Sequence, residues 1–129
     1  MTFTTRHIGE AAEVIAPDGS EVRILCRTGR GSMAHFTLAP GAIAKAVTHR
    51  TIDEVWFVVS GRGRMWLRHG DREEIVEMQE GLSLSIPQGT HFQFHAADDA
   101  PLAAVGVAMP PWPGEDEAHV VDGPWQPTV

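Results

Sequence analysis

Cysteine is almost absent from this sequence, and long apolar runs are missing altogether. Cys26 is the single cysteine among 129 residues, so no internal disulfide can form, which fits a protein of a reducing compartment. No stretch approaches the ~20 consecutive apolar residues of a membrane helix, and residues 1–7 lack the basic-then-apolar pattern of a secretory signal. We therefore expect a cytoplasmic protein that does not use a membrane as a partner.

Positive charge is also scarce. The chain carries 10 Lys and Arg against 17 Asp and Glu, a formal net charge of -7, and no Lys or Arg follows Arg72. Binding to nucleic acid needs a concentrated basic face, so we expect no nucleic-acid partner. The hydrophobic pattern continues through position 72 without a linker. The uneven charge therefore predicts two ends of one domain rather than two domains.

The length and the hydrophobic content fit one compact domain. A chain of 129 residues is too short for two independent cores, each of which needs about 100–150 residues. Hydrophobic residues make up 43% of the chain and charged residues 21%, which predicts a globular core rather than disorder. We predict a single domain over residues 1–129, with its core at about residues 20–110 and an acidic tail rich in Pro and Trp at 110–129.

Helical patterns are scarce too, because glycine and proline interrupt the chain about every 8–12 residues, which is typical of short strands joined by turns. Residues 21–28 alternate apolar and polar side chains as a half-buried strand does. The run from Val55 to Val59 has the β-branched and aromatic composition of a strand that is buried on both faces. About ten strands can be placed in this way, so the sequence predicts an all-β sandwich or barrel.

Two potential metal ligands flank a predicted tight turn. His49 and Glu54 lie on either side of it, and each strand can aim one of them inward because alternate residues share a face. A third ligand can come from a later strand on which alternate residues are His91, Gln93 and His95. Imidazole and carboxylate ligands suit Fe, Mn, Zn, Ni or Cu rather than Ca or Mg. On spacing alone, a turn-capping His49 and a solvated Glu54 would be the favoured alternative.

The chain resembles the cupin family in two motifs that occur in the family's order. The first motif reads Gly, five residues, His, one residue, His, three or four residues, Glu, six residues, Gly. Its positions fall here on Gly41, Val47, His49, Glu54 and Gly61. The resemblance covers about residues 20–110 and implies a cupin-type antiparallel β-barrel, also described as a double-stranded β-helix or jelly roll.

The second motif reads Gly, five residues, Pro, one residue, Gly, two residues, His, and its first three positions are met by Gly81, Pro87 and Gly89. His91 follows Gly89 after one residue instead of two, so Phe92 stands at the position of the motif's histidine. Either the turn is tightened and His91 points inward, or Phe92 points inward and this ligand is lost. We favour the first alternative, in which Phe92 and Phe94 pack outside.

The resemblance implies a divalent transition metal in the barrel. The metal ligands would be His49, Glu54 and His91, with His95 as the alternative third ligand. If His91 binds the metal, His95 would be a fourth ligand, a hydrogen-bonding neighbour of the site or a surface histidine at the end of the strand. Val47 stands where the family usually has its first metal-binding histidine, so one of four ligands is lost. Glu54 is also the candidate catalytic residue, as a ligand or as a general base tuned by burial.

A small-molecule pocket should surround this site, with Trp56, Gln93, Met65 and His35 as candidate substrate-binding residues. The resemblance implies a metal-dependent enzyme acting on a small organic molecule, as a dioxygenase, isomerase or lyase. The alternative is a non-catalytic binding protein that has lost full metal ligation. The resembled family often forms homodimers through sheet edges, which shields exposed strands, so we also expect a homodimer. In the tail, Trp112 and Trp125 should pin the chain over the barrel or over a neighbouring subunit.

Overall fold

The computed structural model describes residues 2–129 as two antiparallel β-sheets that face each other. Its strands are β1 Val14–Ile15, β2 Glu21–Arg27, β3 Ser32–Leu38, β4 Val47–His49, β5 Asp53–Ser60, β6 Arg62–His69, β7 Arg72–Gln79, β8 Ser83–Ile86, β9 His91–Ala96, β10 Leu102–Met109 and β11 Ala118–Val120. A single 3-10 turn, Glu115–Glu117, precedes β11. The all-β prediction is confirmed.

Strand order explains how the sheets enclose a core. The six-stranded sheet runs β1-β2-β3-β10-β5-β8, and the five-stranded sheet runs β11-β4-β9-β6-β7. Side chains that face the space between the sheets form one apolar cluster, whose largest fully buried members include Phe92, Phe94, Met65, Met78 and Leu102. Burial of this apolar surface is the main force that holds the two sheets together.

The turn at residues 50–52 carries the chain from one sheet to the other. It joins β4 of the five-stranded sheet to β5 of the six-stranded sheet. His49 ends the first of these strands and Glu54 is the second residue of the next. The two side chains therefore come from opposite sheets and approach each other between them.

Strand β5 corrects one expectation from the sequence. Trp56 and Val58 are buried, but Val55, Phe57 and Val59 are 44%, 50% and 39% exposed. In an antiparallel strand alternate residues point to opposite faces, and the described chain covers only one face of β5. The prediction of burial on both faces is wrong for the single chain.

The C-terminal tail lies against the barrel. Strand β11 pairs with β4 through Ala118↔His49 and Val120↔Val47. Beyond it, the backbone of Trp125 exchanges hydrogen bonds with the Gln93 side chain of β9, and Thr128 bonds Ile43. This segment covers the outer face of the five-stranded sheet. No helix within residues 2–129 is long and apolar enough to cross a membrane.

Close strand contact at Gly63 generates a stability prediction. A Cβ on this residue of β6 would overlap the His95 carbonyl oxygen of β9 and would lie 2.9 Å from the Leu102 side chain. Gly63→Ala should therefore destabilise the protein by about 1–3 kcal/mol, the usual cost of overpacking. Thermal unfolding should show this loss, while Gly29→Ala, where a Cβ meets no atom within 4 Å, should change little. Equal melting temperatures for the two variants would contradict the described packing.

Candidate functional site

His49 and Glu54 form a buried pair between the sheets. Their side chains are only 7% and 5% exposed, and His49 Nδ1 lies 4.0 Å from Glu54 Oε1. This distance is too long for a hydrogen bond, yet short enough for a small polar group to contact both. The sequence prediction that these two residues converge agrees with their placement.

A hydrogen bond from Trp56 fixes the Glu54 carboxyl group. The indole Nε1–H donates to Glu54 Oε1 at 2.9 Å, and the indole itself is stacked on the Phe36 ring with centroids 5.0 Å apart. Gly106 of β10 makes room for this stack, because a Cβ there would lie 2.7 Å from Phe36 and 2.9 Å from Trp56. Burial raises the pKa of Glu54 to about 7, although the Trp56 hydrogen bond acts in the opposite direction.

Two aromatic rings enclose the His49 imidazole. Phe92 and Trp112 lie edge-on to it, with centroids 5.2 and 5.4 Å away. Burial lowers the pKa of His49 to about 4, and nearby Glu117 only partly opposes this. Between about pH 4 and pH 7 the two groups are therefore a neutral imidazole and a protonated carboxyl, not an ion pair. His49 Nδ1 is buried and has no hydrogen-bond partner among the described residues.

The pair lies in a cavity of about 600 Å³ between the sheets. Its walls are mainly apolar and include Val22, Ala34, Phe36, Trp56, Phe92 and Ala108. Polar side chains are few, among them Asp18, Ser32, His49 and Glu54. A mainly apolar cavity with a few converging polar groups is the usual composition of a small-molecule site.

The segment 110–117 closes the His49 side of this cavity. Trp112 lines the cavity, and its backbone N–H donates to Ser32 Oγ of β3 at 2.9 Å. At the other end, the buried Glu117 carboxylate accepts hydrogen bonds from Thr51 N, Thr51 Oγ1 and Ile52 N. Burial raises the pKa of Glu117, but these hydrogen bonds outweigh that effect and hold it below its usual value. The segment is thus anchored to the turn that separates His49 from Glu54.

The orientation expected for β9 is wrong. Phe92 and Phe94 are 2% and 1% exposed and point inward, whereas His91 lies on the outer face, where its Nδ1 is 3.3 Å from Arg68 Nη2. The register explains this, since Phe92 pairs with the buried Val47 and His91 pairs with Thr48, and paired residues share a face. His91 is not brought to the cavity.

His95 and Gln93 share that outer face. The His95 ring packs edge-on against Trp125, with centroids 4.5 Å apart. Gln93 is buried, but beneath the tail: its Nε2 donates to the Ala44 and Trp125 carbonyl oxygens, and its Oε1 accepts from Trp125 N. The structure therefore gives Gln93 a structural position, and neither residue lines the cavity.

Of the other predicted substrate-binding residues, only Trp56 lines the cavity. Met65 is fully buried in the apolar core, away from the cavity walls. His35 lies on the opposite face of β3 from Phe36, and pairs with Arg23 and Val105. Burial and the Arg23 charge lower the pKa of His35.

The residues around the pair do not fit the metal site that the cupin resemblance implies. Nowhere in residues 2–129 do three or more His, Cys, Asp or Glu side chains come together in a way that could hold a metal ion. The two motif positions that lack histidine, Val47 and Phe92, are direct cross-strand partners. Where the family pattern would place two imidazoles, this chain has an apolar contact beside His49. The predicted four-ligand set is not assembled.

The sequence analysis did not predict that three residues, Phe92, Asp18 and Trp112, line the cavity. Phe92 was expected outside, Trp112 was predicted only as a tail anchor, and Asp18 was given no role in the site. The Trp112 anchor itself is present, but the ring also lines the cavity. The one signal for Phe92 was its place at the ungapped motif position, which the structure shows to be the inward one.

A family comparison agrees with this fold. The family model described as "Cupin domain" matches residues 34–108, which contain both strands of the pair and the whole of β9. The chain belongs to the cupin family. The matched region is more than half of the described residues, and it includes each position of the two motifs.

Similar proteins extend the comparison. The uncharacterized protein MJ1618 of Methanocaldococcus jannaschii is 28% identical over 107 residues, covering 79% of this cupin and 82% of that protein. Oxalate decarboxylase from Bacillus subtilis has a TM-score of 0.72 at 20% identity, over 84% of this chain and 29% of that one. A single-residue variant of Streptomyces PAC13, solved with uridine, has a TM-score of 0.70 at 16% identity and covers 92% of both chains.

The capsular polysaccharide assembling protein CapF from Staphylococcus aureus has the same fold, with a TM-score of 0.72 at 18% identity over 85% of this chain. This cupin spans only 32% of the CapF chain. At such identities these structural likenesses concern the fold alone.

The burial of Glu54 predicts a pH-dependent stability. Its folded pKa of about 7 lies above its ordinary 4.5, so the folded state binds more protons between these values and stability falls as pH rises through them. Glu54→Gln removes the cost of ionising this group, about 3 kcal/mol above pH 7. The variant should therefore be more stable than the wild type at pH 8, and the difference should vanish below about pH 4.5.

Chemical denaturation at several pH values measures this difference. His49 contributes the opposite slope, because its lowered pKa costs stability as pH falls from 6.5 towards about 4, but this effect is common to both proteins and cancels. Glu80→Gln, an exposed acid, is the matched control. If the free energies of unfolding of the wild type and of Glu54→Gln differ by the same amount at every pH, Glu54 is not buried as described.

The position of Trp112 over the His49 ring predicts that Trp112 keeps water away from His49. Trp112→Ala removes the ring that covers one edge of the imidazole, so water should reach His49 and raise its pKa back towards the ordinary value. An NMR titration of the His49 ring proton measures this shift. Trp125→Ala is the control, since Trp125 contacts His95 on the outer face and should leave His49 unchanged. If His49 titrates identically in all three proteins, Trp112 does not close the cavity.

Proposed function

We propose that this cupin binds a small, flat, uncharged organic molecule in the cavity and that Glu54 transfers a proton on it without a metal ion, as an isomerase or lyase does. The observation that carries the proposal is the buried Glu54–His49 pair, whose pKa values are moved in opposite directions to about 7 and about 4. Two titratable groups with separated pKa values are typical of acid–base sites.

The carboxyl group is suited to the role of general base. A group with a pKa near the working pH is present in both protonation states, so it can accept a proton and return it. Trp56 holds one carboxyl oxygen, which leaves the other oxygen available to a substrate. His49 Nδ1, which has no hydrogen-bond partner in the described chain, can bind a polar atom of the same molecule.

The shape and charge of the cavity indicate the class of ligand. The aromatic rings of Phe36, Trp56, Phe92 and Trp112 surround the pair, and flat ligands pack well against such rings. The acidic side chains Asp18, Glu54 and Glu115 line the cavity against one basic side chain, Arg27. An anionic ligand is disfavoured, because Glu54 must be ionised to accept a proton and would then repel a negative charge beside it.

In the proposed reaction Glu54 removes a proton from a carbon of the bound molecule, and the electron pair of the broken C–H bond forms a double bond to the neighbouring atom. In an isomerisation, an existing double bond at that neighbour opens at the same time, and its electron pair takes up the proton from Glu54 at a different atom. In an elimination, the C–O bond at that neighbour breaks instead, and the departing hydroxyl group takes up the proton and leaves as water. Neither outcome needs an oxidant. A metal-dependent dioxygenase has less support, because Val47 and Phe92 occupy the positions of two ligands.

Uridine is a sensible first probe, because the similar Streptomyces PAC13 was solved with it and a nucleoside is flat, uncharged and small enough for the cavity. Wild-type protein should bind uridine or another uncharged ring compound of a screening panel, as measured by a rise in melting temperature with ligand concentration. Protein purified without an affinity tag should contain no stoichiometric Fe, Mn, Zn, Ni or Cu by mass spectrometry.

Proton transfer is tested on the ligand that binds. In D2O, wild-type protein should exchange a carbon-bound hydrogen of that ligand or eliminate water from it, with a rate that rises with pH around 7 as Glu54 ionises. Glu54→Gln should bind the ligand but lose the activity by about 100-fold or more, and Glu80→Gln should keep it. Binding without any reaction in the wild type would favour the alternative of a non-catalytic binding protein, while stoichiometric metal lost in His49→Ala would favour the metal-dependent enzyme.

A further inference from the structure

The turn between β1 and β2 brings a second carboxyl group to the cavity. Asp18 lies in this turn, is only 6% exposed and lines the same cavity as Glu54 and His49. The Asp18 backbone oxygen accepts a hydrogen bond of 2.7 Å from Lys45 N, shortly before β4 of the opposite sheet. The proton transfer proposed above uses Glu54 and leaves this buried carboxyl group without a role.

Only one oxygen of the Asp18 carboxyl group is bound by the protein. Oδ1 accepts hydrogen bonds from Ser20 N at 2.9 Å and from Ser20 Oγ at 2.7 Å, and side-chain bonds of this kind, to a residue two positions onward, stabilise tight turns. Within residues 2–129 no other side chain or backbone group donates to the carboxyl group. The Lys45 ammonium group donates to the Val129 carbonyl oxygen instead. Oδ2 is therefore the oxygen that a molecule in the cavity can reach.

The turn itself does not need a charged residue. An asparagine side chain has one carbonyl oxygen, which could accept the same two bonds from Ser20 without carrying a charge. The carboxylate is costly, because burial raises the pKa of Asp18 although the Ser20 hydrogen bonds and the Lys45 charge oppose this. Buried charges are normally paired, and no residue of the described chain is bonded to Oδ2. A bound molecule can be its partner.

We propose that Asp18 is a specificity-determining residue of the cavity, whose oxygen Oδ2 accepts a hydrogen bond from an O–H or N–H group of the ligand. The ligand is then a flat, uncharged molecule that carries such a donor in addition to the atom on which Glu54 acts. The inference rests on the proposed function only in taking the cavity as a ligand site. It requires no reaction at Glu54.

One small molecule can contact both carboxyl groups. Asp18 and Glu54 line a single cavity of about 600 Å³, a size typical of small-molecule sites. The two groups also interact, since the charge of Asp18 is one of the effects that raise the pKa of Glu54 after burial itself. The ring of a ligand would lie against the aromatic walls, and its donor group would reach Asp18.

A ligand without a donor should be rejected strongly. Such a ligand displaces water from Oδ2 and leaves a buried acceptor without a hydrogen bond, which is far less favourable than a ligand that replaces the water's bond. Phenol and anisole are matched probes for this difference. Both are flat and uncharged, and anisole differs only by the methyl group that replaces the phenol proton.

NMR titration of the protein with phenol and with anisole tests the proposal. Wild-type protein should bind phenol at millimolar concentration, about 10-fold or more tightly than anisole. Asp18→Asn keeps an acceptor for Ser20 but places an amide donor where Oδ2 was, so the two probes should bind about equally. Asp71→Asn, which removes an acid from an exposed turn, should keep the preference. No binding of phenol to the wild type, or an unchanged preference in Asp18→Asn, would overturn the proposal.

A wild-type crystal soaked with phenol keeps the test decisive if Asp18→Asn does not fold. The phenol oxygen should lie about 2.7 Å from Asp18 Oδ2, and a phenol bound to Glu54 or His49 alone would overturn the proposal. The melting temperature of Asp18→Asn should equal or exceed that of the wild type at pH 8, because a buried charge is removed. A clear fall would show that the turn needs the charge, against the proposal.

The outcome separates this inference from the proposed function. If the phenol preference depends on Asp18 but no ligand undergoes proton transfer, the specificity role stands and the proposed reaction is wrong. If Glu54 transfers a proton on ligands that have no O–H or N–H group, with equal efficiency in the wild type and in Asp18→Asn, the proposed reaction stands and the specificity role is wrong.

Discussion

The burial of the Glu54 carboxyl between two apolar sheets is the interaction on which the site depends. Ionising a carboxyl is costly where water cannot solvate it, and a single hydrogen bond from the Trp56 indole offsets only part of that cost. The indole keeps its position because Phe36 stacks on it and Gly106 leaves space beneath it. The hydrogen bond to Glu54 Oε1 therefore depends on the packing of three strands, β3, β5 and β10.

The pairing of Val47 with Phe92 shows how a cupin barrel can differ from its family pattern without losing its fold. Both side chains face inward and are almost fully buried, so they contribute apolar burial where charged or polar ligands would need compensation. The two positions are cross-strand neighbours. An imidazole at only one of them would face the other's apolar side chain and would lack a partner.

Much of the fold could be predicted from the sequence, because alternation and turn residues are local signals. Residues 21–28, which alternate apolar and polar side chains, form strand β2 at Glu21–Arg27, and the approach of His49 and Glu54 was implied by the resemblance to the first cupin motif. The direction of β9 could not be predicted, since a shift of one residue reverses every side chain and a histidine, His91, stands next to the motif position that Phe92 occupies. The contacts of Asp18 and Trp112 with the cavity depend on residues far away in the chain, and no local pattern encodes them.

The Glu117 carboxylate binds the turn between His49 and Glu54 although it lies more than sixty residues later in the chain. Segment 110–117 thus contacts the site directly, although none of the eight longer strands of the barrel includes any of its residues. Different parts of the chain therefore hold the buried pair and close the cavity, so the two parts can change independently in evolution. The barrel can stay constant to preserve the buried pair of Glu54 and His49, and substitutions in the short segment that carries Trp112 can change how the cavity beside this pair is closed. Related chains with the same barrel and a different segment would then be expected to differ in ligand choice rather than in chemistry.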